Sequence, residues 1–228
     1  MSTSAPVTAK PAATVVLLRN AGVACEVLLV RRSAQLKFHG GAWVFPGGRI
    51  EEVDYAEAPD VVTAARRAAV REAREEAGLV LGPEQLVLVS RWITPVQMPI
   101  RFDAWFFAAL GSDAPVAIDG DEIHEHQWMA PADALAAQRT GAIDLPPPTF
   151  VTLSTIAPYR RAEEALAAVR REEPELFEPR LYRVEGGAVT LYAADAGYED
   201  GDLQRPGPRH RLWMLENGWR YERSARGG

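Results

Sequence analysis

Residues 60–79 read DVVTAARRAAVREAREEAGL, and a short way upstream residues 45–48 read FPGG. The longer string is rich in Ala, Arg and Glu and keeps small apolar residues at helical spacing. It closes on Gly78, so it predicts a helix from Asp60 to Leu79 with a glycine C-cap. The shorter string is a turn whose two glycines permit backbone approaches that side chains would block. On the helix Glu72, Glu75 and Glu76 fall at i, i+3 and i+4, which puts three carboxylates on one face. Like charges so placed repel by roughly a few tenths of a kcal/mol per pair, and a divalent cation turns that repulsion into coordination. Hard oxygen ligands suit Mg2+ or Mn2+ rather than zinc. Arg71, four residues before Glu75, can brace it. Charge runs of this kind also form ordinary solvated helix faces, and what surrounds this one decides between the two.

Upstream, residues 14–20 and 21–33 form two β-branched and leucine-rich runs around a glycine turn, the pattern of a hairpin. Downstream, residues 86–95 and 101–110 are apolar and aromatic enough to be strands. A short helix is expected from Pro131 to Arg139, and LPPPT at 145–149 breaks the chain. Beyond it come an apolar turn at 150–156, a charged helix over 159–172, and strand-like runs at 180–184, 188–194, 210–215 and 219–223. Asn217-Gly218 is a hairpin-turn signal between the last two.

The whole chain of 228 residues is 47% hydrophobic and 25% charged, the balance of a globular protein. Its 25 Lys and Arg against 31 Asp and Glu leave a net charge of −6, so no basic surplus exists to grip nucleic acid. No apolar run approaches the roughly 20 residues that cross a bilayer, so no membrane partner is expected. The single cysteine, Cys25, excludes a disulfide framework and fits a reducing, cytoplasmic setting. Residues 1–11, rich in Ser, Thr, Ala and Pro, read as a disordered tail.

The string Arg71-Glu72-Ala73-Arg74-Glu75-Glu76-Ala77-Gly78-Leu79 resembles the second half of the Nudix box. Gly48 matches the glycine of the first half. After five intervening residues, Asp54 stands where the family usually has Glu. Residues 55–70 then separate Asp54 from Arg71, nine more than the usual box has, and the surplus must bulge out or lengthen the helix. The resemblance covers about residues 12–145 and implies an α+β Nudix fold, a mixed sheet sandwiched between helices. Residues 146–228 would form a C-terminal helix and β-hairpin extension packed on the same domain. It also implies a divalent-metal-dependent hydrolase of nucleoside diphosphates linked to a second moiety, a small-molecule substrate. Glu72 and Glu76 would be direct ligands of Mg2+ or Mn2+, Glu75 a ligand or water-mediated partner, and the Gly47 carbonyl would complete the shell. The family's general base sits on the box or on a distant loop. Glu122 and Glu125, in GDEIHEHQW, are the distant candidates and equally suit an exposed turn.

Residues 28–48, LLVRRSAQLKFHGGAWVFPGG, are similar to the further signature of coenzyme A diphosphatases within that family, with Val30 in place of Thr and Lys37 in place of Arg. That likeness implies coenzyme A or acyl-coenzyme A as substrate, Arg32 and Lys37 meeting its phosphates and Gly48 lying against it. An ADP-ribose or dinucleotide diphosphatase, and a non-catalytic nucleotide-sensing module, are the alternatives. A homodimer through the extension stays open.

Overall fold

A computed structural model describes residues 7–36, 38–112, 114–118 and 120–224. The expected hairpin is β1 (Lys10–Ala21) and β2 (Ala24–Arg32), paired from Leu18 opposite Val27 to Ala21 opposite Ala24. β1 starts at Lys10, inside the stretch read as a tail, because its parallel pairing continues down to Lys10 opposite Phe102. Residues 1–6 lie outside the described ones.

Toward Lys10 and Arg32 the two hairpin strands part, and the chain between residues 43 and 49 fills the gap. β3 (Trp43–Val44) pairs with β2 at Val30 and Arg31, while β4 (Gly47–Arg49) pairs with β1 at Ala12, Ala13 and Thr14. This split in the sheet is where the glycine turn sits. β6 (Phe102–Leu110) runs parallel to β1 and antiparallel to β5 (Val87–Ile93). β7 (Ile123–Met129) covers the other edge of β2, and β8 (Glu175–Phe177) lies parallel on β5, completing a mixed sheet of eight strands.

Alternation along β1 divides the core. Ala13, Val15 and Leu17 face α2 (Val61–Ala77), whose buried apolar residues are all alanine: Ala64, Ala65, Ala68, Ala69, Ala73 and Ala77. Small side chains let that helix lie close on the sheet. Val16 and Leu18 face the opposite layer, built from α3 (Pro131–Arg139), α4 (Pro147–Ile156) and α5 (Ala162–Arg171). A second, antiparallel sheet follows: β9 (Arg180–Val184), β10 (Gly187–Leu191), β11 (His210–Leu215) and β12 (Gly218–Arg223), in the order β12-β11-β10-β9. Its Tyr192 and Leu212 join the same core cluster as Val16.

The long helix meets its expectation closely. Asp60 is the N-cap, accepting from the Thr63 N–H at 2.8 Å, and Gly78 caps the end in the left-handed conformation. The surplus box residues both bulge and lengthen the helix: α1 (Glu52–Tyr55) and residues 56–60 precede a helix that starts ten residues before Arg71. The apolar turn expected at 150–156 is instead α4, which begins with Pro147 at its first turn and is buried around Phe150, Val151, Thr152 and Leu153. Its buried run from Thr149 to Leu153 spans more than one face, and Ser154 and Thr155 bond back to the Phe150 and Val151 carbonyls, so no clean polar period announces the helix.

Candidate functional site

Pairing with β1 carries Gly47 and Gly48 under the C-terminal half of α2, where a side chain on either would require its neighbours to move. A Cβ on Gly47 would lie 2.4 Å from the Ala13 carbonyl oxygen, and one on Gly48 would lie 2.2 Å from Glu72 Oε1. The Gly47 N–H donates to Glu76 Oε2 at 2.8 Å. The turn and the glutamates therefore define each other's positions.

Arg71 organises the exposed side of the cluster. Its Nη1 donates to Glu72 Oε1 at 2.8 Å and to Glu75 Oε2 at 2.9 Å. Its Nη2 donates to Asp54 Oδ2 and to the Arg49 carbonyl, both at 2.9 Å, and its Nε reaches Asp54 Oδ1 at 3.3 Å. Asp54 is 4% exposed and also accepts from the Glu51 N–H at 2.9 Å, capping α1. So the shorter Asp, carried back by α1 after the glycine turn, anchors the arginine despite the enlarged loop. Burial works against the Arg71 charge, but hydrogen bonds to Asp54 and Glu72 and their attraction raise its pKa above the ordinary value.

The three glutamates share the helix end but differ in surroundings. Glu75 is more than half exposed, Glu72 is largely covered, and Glu76 is 5% exposed. Burial pushes the Glu76 pKa up to about 8; Glu72 and Glu122 push the same way, while the Gly47 N–H and Arg32 oppose. Burial also raises Glu72, against Arg71 and with Glu75 and Glu122 adding to the rise. Among the described residues no three His, Cys, Asp or Glu side chains already close into a cage, since Arg71 holds Glu72 and Glu75 while Gly47 holds Glu76. By type and charge the set fits a hard divalent cation: carboxylate oxygens that repel one another, one of them buried at a cost only positive charge nearby would relieve.

All of this opens on a cavity of about 850 Å³, within the range of small-molecule sites. Its polar end holds Arg71, Glu72, Glu75, Glu76, Arg32 and Glu122. Arg32 ends β2, and its buried Nε has no hydrogen-bond partner. A shallower cleft of about 610 Å³ lies over Arg67, Arg74 and Pro83. It meets the site only through Arg71 and Glu75.

Sequence reasoning placed Glu122 and Glu125 together, and the structure separates them. Glu125 sits on β7, half exposed and 3.3 Å from Arg31, whereas Glu122, just before the strand, lines the cavity. The strand begins between them, at Ile123, a division that a reading of the whole segment as a turn could not supply. Lys37 lies outside the described residues. Two contributions were missed. The Asp54 to Arg71 contact was signalled only by an acid six positions after Gly48. The cavity wall built by Leu181, Thr190, Tyr192 and Met214 left no mark in the sequence.

The family model of the NUDIX domain matches residues 8–147. Among curated proteins, acyl-coenzyme A diphosphatase NUDT19 of Xenopus laevis is 25% identical, over 78% of this chain and 73% of the relative. Among solved structures, a NUDIX hydrolase from Alicyclobacillus acidocaldarius superposes with a TM-score of 0.64 at 24% identity, covering 71% of this chain and 96% of that one. The NUDIX domain of Shewanella oneidensis NrtR, complexed with ADP ribose, gives 0.51 at 18% identity, covering 68% and 90%. At these identities the two structures show the shared fold.

Proposed function

The chain belongs to the NUDIX family, as a pyrophosphohydrolase of nucleoside diphosphate derivatives, and from that premise we propose that it hydrolyses the diphosphate of coenzyme A or an acyl-coenzyme A with Mg2+ or Mn2+. The observation that carries the reading is the meeting, at one end of one cavity, of the α2 glutamates with Arg32 from the upstream signature. The 25% identical acyl-coenzyme A diphosphatase supports the same substrate class.

Glu72, Glu75, Glu76 and the Gly47 carbonyl are the groups that would hold the cation. Bound there, it supplies charge neutralisation of the diphosphate and a water of lowered pKa. Arg71 fixes Glu72 and Glu75 in direction, with Asp54 fixing Arg71. Arg32 supplies a permanent positive charge beside Glu76, where phosphate oxygens enter. Glu122 faces the same space from the opposite loop and is positioned to accept the proton of the attacking water. The water oxygen bonds to one phosphorus as the bridging P–O bond breaks. The products are adenosine 3′,5′-bisphosphate and 4′-phosphopantetheine or its acylated form.

Purified protein with Mg2+ or Mn2+ is incubated with coenzyme A, acyl-coenzyme A, ADP-ribose, NADH and nucleoside triphosphates, and products are identified by mass spectrometry. Adenosine 3′,5′-bisphosphate should appear from the coenzyme A substrates faster than AMP appears from the others. Faster cleavage of ADP-ribose or NADH would replace the substrate. No cleavage of any would favour a nucleotide-sensing module.

A further inference from the structure

The cavity extends well beyond the glutamates. Its far end is lined by Trp92 and Phe106 from the first sheet, by Leu181 and Met214 from the second, and by Tyr192, which follows β10. The last three lie outside the matched residues 8–147, so the extension completes this end against the family core. Trp92 is stacked on Phe177 with ring centres 3.8 Å apart, and its indole N–H donates to Ser90 Oγ at 3.0 Å. Its polar atom is already used. Tyr192 stands edge-on to both rings, 5.7 Å from Trp92 and 5.1 Å from Phe177.

Tyr192 is fully buried, and its hydroxyl has no hydrogen-bond partner. An unpaired buried hydroxyl lowers stability, so its survival in a cavity wall calls for a function. Its backbone is fixed: the Tyr192 N–H donates to the His210 carbonyl at 2.9 Å. The neighbouring Arg211 pairs with Asp195 at 2.6 Å, both side chains almost wholly buried. Burial, with Tyr221 nearby, raises the phenol pKa well above its ordinary value, which keeps the hydroxyl protonated and able to donate.

We propose that Tyr192 is a specificity-determining residue whose hydroxyl donates to a carbonyl on an extended arm of the substrate, beyond the diphosphate from the nucleoside. Leu181 and Met214 cover the same arm. The inference rests on the coenzyme A reading: the pantetheine arm is extended, its amide carbonyls accept hydrogen bonds, and its methyl and methylene groups suit a wall that includes Leu181 and Met214.

The test uses the full chain with Mg2+ and compares the KM for coenzyme A with the inhibition constant of adenosine 3′,5′-bisphosphate, which lacks the arm. Tyr192→Phe removes only the oxygen and should raise KM relative to that constant by roughly 3- to 10-fold, with little change in kcat. Leu181→Glu, at a site 45% exposed and therefore tolerant of charge, should move the ratio the same way. An unchanged ratio in both variants, with coenzyme A still cleaved, overturns this inference alone. Absence of coenzyme A cleavage by the unaltered protein overturns the substrate reading and this inference together.

Discussion

Replacing Glu76 with Gln should stabilise the metal-free protein at neutral and higher pH. Glu76 is 5% exposed, and burial lifts its pKa from 4.5 to about 8. Between those values the folded chain keeps a proton that the unfolded chain has released. The group's contribution to stability is therefore fully present below about pH 4.5 and is lost as pH rises through about 8. At about 1.4 kcal/mol per pH unit, the loss reaches roughly 3 kcal/mol by pH 7 and stays on the order of a few kcal/mol above pH 8. Gln retains an acceptor for the Gly47 N–H and has no charge to bury, so the variant escapes the loss. Urea unfolding in EDTA at pH 5, 7 and 8 measures it. The variant should gain on the unaltered protein as pH rises, and Mg2+ should narrow the difference by binding the unaltered fold alone. Parallel stability curves for the two proteins across that range would refute the reasoning, because Glu76 would then ionise at no cost.

Asp54→Ala removes the buried partner of Arg71 and should destabilise by roughly 1–3 kcal/mol, less than a fully buried pair because Arg71 is partly exposed and keeps Glu72 and the Arg49 carbonyl. A cycle with Arg71→Ala, read by urea unfolding, should show coupling of about 1 kcal/mol or more; additive losses would count against the anchor. Gly48→Ala sets a methyl within 2.2 Å of Glu72 Oε1. Because a carboxylate end can swing away, Tm should change little while kcat falls by about 10-fold or more; normal kcat would show that Glu72 need not sit there. Arg32→Ala should raise KM for a diphosphate substrate by about 10-fold or more, with salt dependence of KM reduced, and an unchanged KM would remove Arg32 from binding.

Much of the frame was legible because it rests on local signals. Asp60, the alanine stripe and Gly78 delimit α2 almost to the residue, and the β-branched runs around Gly22 mark the first hairpin. What escaped lacks a local period. β7 is a mostly exposed edge strand, polar at His124, Glu125, His126 and Gln127, so nothing alternates. α4 mixes Thr and Ser with apolar residues and has no clean polar face, and β8 is three residues long and finds its place only beside β5. The glutamates on α2 could be read from spacing alone, but their unequal burial could not. That depends on how closely Gly47 and Gly48 bring β4 under the helix. Tyr192 reaches the cavity through a sheet formed far along the chain, a placement that tertiary packing creates.

The central claim is that the glutamate face of α2 carries out hydrolysis of a diphosphate, and Glu76 is its most buried member. Turnover of the best substrate from the panel, measured for Glu76→Gln against the unaltered protein at saturating Mg2+, tests that claim directly. Turnover should fall by at least ~100-fold in a variant that remains folded. Near-normal turnover by the pure, folded variant would contradict it.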